Sequence, residues 1–182
     1  MKQVGFVDHK KRIAVVIARL PRLEAVSITS TNLKSYANAP FEELSRGLMA
    51  AQAKIRALHI RNCDVHGGAL VTFLCSLTTT LKDLELFKIR AVIGDWDNLV
   101  STISKLSLEK MDLIGLGFPT TQNSSMHLIA FLQQHHYQAL HQSLRHPVTG
   151  KIQHYQIKAS TLLAYGGLAV KAVIEKGQEL RR

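Results

Sequence analysis

Five segments of this 182-residue chain share one spacing, with apolar side chains at positions 1, 4, 6 and 11 and a small, thiol or apolar residue at position 9. The clearest runs from Ile55 through Leu58, Ile60 and Cys63 to Val65, and others begin at Leu23, Leu81, Leu108 and, more loosely, Ile152. Positions 3 to 7 of each copy alternate between the faces of a strand, with 4 and 6 inward and 3, 5 and 7 outward. Such a unit cannot bury its apolar face alone, so copies have to stack side by side. Their starts lie 32, 26, 27 and 44 residues apart. Against a repeat length of roughly 20 to 29 residues, two intervals fit and two carry insertions.

This is a leucine-rich-repeat pattern. It predicts an α/β fold, a short irregular solenoid of about five parallel strands backed by one layer of helices, with helical caps at both ends. Parallel neighbours need a long crossover, commonly a helix, and the intervening segments have helical spacing. Phe41, Leu44, Leu48 and Ala51 follow Pro40, a residue suited to a first helical turn, while Leu70, Phe73, Leu74 and Leu77 follow Gly67-Gly68. Trp96, Leu99, Val100, Ile103 and Leu106 form a third stripe behind a capping Asp95. A single domain over residues 1–182 is expected, with an N-terminal cap over 1–22, repeats over 23–162 and a C-terminal cap over 163–182. In the first cap, Ile13, Val16, Ile17 and Leu20 predict a helix covering the edge of the first strand. The longest insertion predicts a helix from about Ser125 to Arg145, bearing Met126, Ile129, Leu132, His136, Leu140 and Leu144. Pro147 to Gly150 predicts the turn into the last strand, and Leu168 to Leu180 a closing helix with Leu168, Ala172 and Val173 inward.

An apolar content of 46% is enough to fill a core, and no linker divides the chain. The longest apolar run near the start, Ile13 to Ala18, is six residues, too short for a signal-peptide core or a membrane span. A soluble intracellular protein, cytoplasmic or nuclear, is the expectation, with no membrane partner. Cys63 and Cys75 are expected to be buried thiols outside any disulfide. The net charge of +10 is concentrated at the ends: residues 1–22 hold six Lys/Arg against Asp8, and residues 145–182 hold seven against Glu175 and Glu179. Between them, residues 23–144 balance ten bases with ten acids. A phosphate-tracking groove would want a continuous basic stripe with interleaved aromatics. Solvated caps explain the split more simply, and nucleic-acid binding by the basic ends is the alternative.

The outward positions define the expected concave face. Position 5 runs Ser27, His59, Glu85, Asp112 and Gln156; position 3 runs Ala25, Ala57, Asp83, Lys110 and His154; position 7 runs Thr29, Arg61, Phe87, Ile114 and Lys158. Phe87 and Ile114 would be adjacent apolar side chains rimmed by charge, the make-up of a binding hot spot. The candidate partner-binding residues are therefore His59, Arg61, Asp83, Glu85, Phe87, Asp112 and Ile114. No catalytic residues, metal ligands or cofactor are expected. The histidines between His127 and His154 have no pair three or four apart on the proposed long helix, and the chain has no Walker loop, G-x-S-x-G or G-x-G-x-x-G.

The stretch Leu81 to Leu113, with LKDLELFKI, then Gly94-Asp95-Trp96, then LSLEKMDL, resembles the C-terminal leucine-rich region of F-box-like proteins of filamentous fungi, as does the later VTGKIQHYQI. The resemblance covers about residues 50–160. It implies a protein-interaction module, in full-length relatives the substrate-recognition part of a ubiquitin-ligase assembly. The 22 residues ahead of the first copy are too few for a helical F-box, so no adaptor-binding residues carry over.

Overall fold

Each tight copy of the spacing becomes a strand at its positions 3 to 7. The computed structural model describes residues 3–6, 23–29, 39–91, 96–119, 126–128, 140–158 and 161–181. The first half holds β1 (Gln3–Phe6), β2 (Ala25–Thr29), α1 (Ala39–Ala50), β3 (Ala57–Arg61), β4 (Asp64–Val65), α2 (Gly67–Ser76), β5 (Asp83–Phe87) and β6 (Arg90–Ala91). There follow α3 (Trp96–Ser104), β7 (Lys110–Ile114), β8 (Gly117–Pro119), β9 (Met126–Leu128), β10 (Leu140–Arg145), β11 (Ile152–Lys158), β12 (Thr161–Tyr165) and α4 (Gly167–Arg181). The main sheet has eight strands in the order β1-β2-β3-β5-β7-β12-β11-β10. Its first five strands are parallel, and the last three join antiparallel.

Between β2, β3, β5 and β7 the register matches the spacing position for position, as in Val26, Leu58, Leu84 and Met111. The backbone repeats as well. The carbonyl of motif position 2 accepts two N–H groups from the next copy: Glu24 from Arg56 and Ala57, Arg56 from Lys82 and Asp83, Lys82 from Glu109 and Lys110. Position 8 sits in the left-handed region in three copies, at Asn62 (φ 54°), Lys88 (φ 50°) and Gly115 (φ 62°). There the chain leaves the main sheet, and the freed N–H of Asn62 and of Lys88 donates to the position-7 carbonyl of the following strand, at 2.9 and 2.7 Å. Positions 10 and 11 then build β4, β6 and β8 of a second, short sheet, which β9 joins antiparallel beside β8.

Inward positions 4 and 6 pack with the helices into one hydrophobic cluster. Leu58, Ile60, Leu84, Leu86, Met111 and Leu113 are all at most 1% exposed. Burying a side chain of this size contributes about 1.5–3 kcal/mol. Phe41 of α1 meets Phe73 of α2 edge to face, with ring centroids 6.1 Å apart. Leu70, Leu74 and Leu77 are buried as their spacing predicts, and so are Leu99, Val100, Ile103 and Leu106, whereas Ala51 lies in an exposed turn beyond α1.

Several expectations are corrected. The fifth copy does form a strand, β11, but it is antiparallel and lies between β10 and β12. The fifth parallel strand is β1, inside the segment read as a helical cap, so β2 is not the edge it was taken to be. The proposed helix bearing Ile13, Val16, Ile17 and Leu20, and Asp95 with it, lies outside the described residues. The long helix from Ser125 to Arg145 is overturned at both ends, where β9 and β10 are strands. Its stripe was diluted by Gln, Ser and His, and β10 satisfies its backbone by pairing along β11 through the predicted Pro147–Gly150 turn. In α4 the inward residues are Ala169, Val170, Val173 and Ile174, with Leu168 and Ala172 half-buried. Neither cysteine forms a disulfide, but Cys75 is exposed and Cys63 only half-buried. No helix among the described residues is long and apolar enough to cross a membrane.

Candidate open-face interaction site

Outward positions 3, 5 and 7 lie on the sheet face opposite the helices, and the parallel register sets them in rows. His59, Glu85 and Asp112 stand opposite one another, as do Asp83 and Lys110, and as do Arg61, Phe87 and Ile114. All seven residues expected at the site thus share one patch. Phe87 and Ile114 are half-buried, as are His59, Asp83 and Asp112, while Arg61 is exposed. Glu85 is buried, at 8% exposure.

Burial of Glu85 is made tolerable by a diagonal partner. The Arg61 guanidinium reaches across with Nε 2.5 Å from Oε1 and Nη2 2.7 Å from Oε2. Paired hydrogen bonds of this kind are among the strongest available to a carboxylate. They hold the Glu85 carboxyl below its ordinary pKa against the opposing effect of burial, and they raise that of Arg61. His59 also reaches diagonally: its Nε2 lies 3.4 Å from Asp83 Oδ2 rather than against Glu85, its partner in register. The Lys110 ammonium sits between two carboxylates, 3.2 Å from Asp112 Oδ2 and 3.7 Å from Asp83 Oδ1. Burial pushes the Lys110 pKa down, but the hydrogen bond and charge of Asp112 together with Asp83 leave it raised.

His59 Nε2, Asp83 Oδ1 and Asp112 Oδ1 are buried without a hydrogen-bond partner among the described residues. The Phe87 ring is capped at one side by the Lys88 ammonium, 5.3 Å from the ring centroid. No group of three or more His, Cys, Asp or Glu among the described residues could hold a metal ion.

The spacing of the parallel copies did not reveal what lies beside β7. Antiparallel β12 sets Thr161, Leu163 and Tyr165 opposite Ile114, Asp112 and Lys110. Tyr165 is 47% exposed, and its phenol pKa is raised by burial and by Asp112. The available signal was the short run Thr161 to Tyr165 only two residues beyond β11, which is hairpin spacing. No protein-family model, curated protein or solved structure matches this chain.

Proposed function

We propose that this chain is a protein-interaction module of leucine-rich-repeat type that binds a protein partner on its open sheet face, and that it serves as a substrate-recognition part of a ubiquitin-ligase-type assembly. The assembly role rests on the resemblance of Leu81 to Leu113 to the leucine-rich region of F-box-like proteins. The binding role rests on one observation: Phe87 and Ile114 stand opposite each other on the face away from the core, beside the Arg61–Glu85 pair. Half-exposed apolar groups among fixed charges are what a hot spot needs, because a partner can remove the apolar area from water while the polar rim sets its orientation.

The test is affinity capture from the native host with wild-type and Phe87→Ala chains as baits. The proposal expects a protein retained by the wild type and lost by the variant at unchanged melting temperature. Identical capture by both baits would remove the open face from consideration. Nucleic-acid binding is a second reading, favoured by the absence of any Asp or Glu between Asp112 and Glu175. It predicts affinity falling steeply with salt through counterion release and a large loss on reversing Lys10, Lys11 and Arg12 to Glu. Apolar binding on the sheet face predicts little response to either change.

A further inference from the structure

Away from the open face, a cleft of about 670 Å³ lies between the C-terminal end of α3, the first turns of α4 and the β10–β11 turn. Small-molecule sites span roughly 300–1,000 Å³. The cleft has an aliphatic floor, in which Leu106, Val170 and Ile174 are buried and Leu168 is half-buried. Its rim is cationic. Lys105, Lys151 and Lys171 line it, are exposed, and make no ion pair among the described residues. Among the described lining residues the lone carboxylate, Glu109, has its Oε1 3.8 Å from the Nζ of Lys82, which is not one of them.

Two further details bear on the ligand. The backbone N–H groups of Val148 and Thr149 both donate to His146 Nδ1, at 3.2 Å, which makes Nε2–H the donor of the neutral ring. The N–H groups of Leu168 and Ala169 already donate to Gln153 Oε1, at 2.9 and 3.3 Å, so the start of α4 is satisfied internally. Recognition of a negative charge therefore falls to the side chains. None of the described lining residues is Phe, Tyr or Trp, and without an aromatic platform the cleft is poorly suited to stacking bases.

We propose that this cleft binds a small amphiphilic anion, a carboxylate or phosphate on an alkyl or acyl chain. The head group is held by Lys105, Lys151 and Lys171, and the chain lies on Leu106, Leu168 and Ile174. The site is independent of the open face and gives the basic C-terminal end a specific task.

The test titrates the full chain with octyl phosphate below its micelle concentration, following backbone amide shifts by NMR. Octanol, inorganic phosphate and octyltrimethylammonium serve as comparison ligands. The proposal expects saturable shifts at Lys105, Ser107, Lys151, Leu168 and Lys171, with each comparison ligand at least about tenfold weaker. Lys151→Glu combined with Lys171→Glu should weaken octyl phosphate by at least about tenfold while leaving the circular dichroism spectrum unchanged. Octanol binding as tightly as octyl phosphate would show that the lysines are unused. Inorganic phosphate binding as tightly would show that the floor is unused. Either result overturns the proposal, as do shifts that map elsewhere, or an oligonucleotide binding the same residues more tightly than octyl phosphate. If the double variant fails to fold, the shift map and ligand ranking of the wild type decide the matter.

Discussion

The parallel and antiparallel parts of the main sheet solve the same packing problem by different means. From β2 to β7 each strand is added by a doubly used position-2 carbonyl, and the copies that form β3, β5 and β7 share a left-handed position 8. At β12 the scheme stops: the Glu109 carbonyl, also at position 2, accepts from Gly166 N–H at 2.6 Å, and the chain then folds back in hairpin order. The faces differ too. Acids and bases interlock on the parallel face, whereas Tyr165 and Ile152 are 47% and 58% exposed in a stretch without a single acid. Repetition gives a sheet a self-neutralising surface, while the antiparallel end leaves its cations for other uses.

The largest effect expected from breaking this comparison is in the repeated core. Leu84→Ala should cost about 2–5 kcal/mol as a truncation at a fully buried site. A denaturation experiment showing less than about 1 kcal/mol would remove β5 from the core. At the antiparallel end stability should depend instead on backbone geometry. Gly166 has φ +106°, and a Cβ there would lie 2.2 Å from Gln153 Cδ, whereas Gly150 at φ +68° has nothing within 4 Å of its Cβ position. Gly166→Ala should therefore cost about 2–3 kcal/mol, combining strain with loss of the Gln153 cap, and Gly150→Ala about 1 kcal/mol. Equal melting temperatures for the two variants would contradict this assignment of the turn into α4.

Electrostatic effects on the parallel face should be smaller. Arg61→Ala should cost about 1–2 kcal/mol, because it strands a buried carboxylate although Arg61 itself is well exposed. Because the folded-state pKa of Glu85 is depressed below 4.5, the pair's contribution is complete above the unfolded-state pKa and is lost as pH falls through the folded one. Glu85→Gln should flatten that acid limb of the stability curve, and an unchanged limb would mean that other groups produce it. The smallest change tests the equivalence of the repeats: Gly115→Asn places at position 8 the residue found at Asn62, and its cost should be within about 0.5 kcal/mol. A loss of several degrees in melting temperature would show that the three joints are not interchangeable.

The parallel strands were legible because their information is local. Spacing sets which side chains point inward, and stacking of like units sets the register, so the seven outward residues of the site could be placed on one face. Their pairing was legible only in part: Asp83 meets Lys110 directly opposite, but Arg61 and His59 reach diagonally to Glu85 and Asp83 rather than to the residues opposite them. The antiparallel end was less legible. Leu162, Leu163 and Ala164 read as a continuous apolar run that conceals the alternation of β12, and β10 has both polar and apolar residues on a helical period. Only pairing across the sheet chooses strand for these segments, and that choice is made by residues distant in sequence.

The most direct test of the account compares partner affinity across the two parts of the open face, using Phe87→Ala on the parallel side and Tyr165→Ala on the antiparallel side. The account predicts that Phe87→Ala weakens binding of the captured protein at least tenfold, about 1.4 kcal/mol, with its melting temperature close to wild type, and that Tyr165→Ala changes affinity less than about threefold. Equal losses for the two variants, or a loss confined to Tyr165→Ala, would contradict it and move the working surface to the antiparallel end.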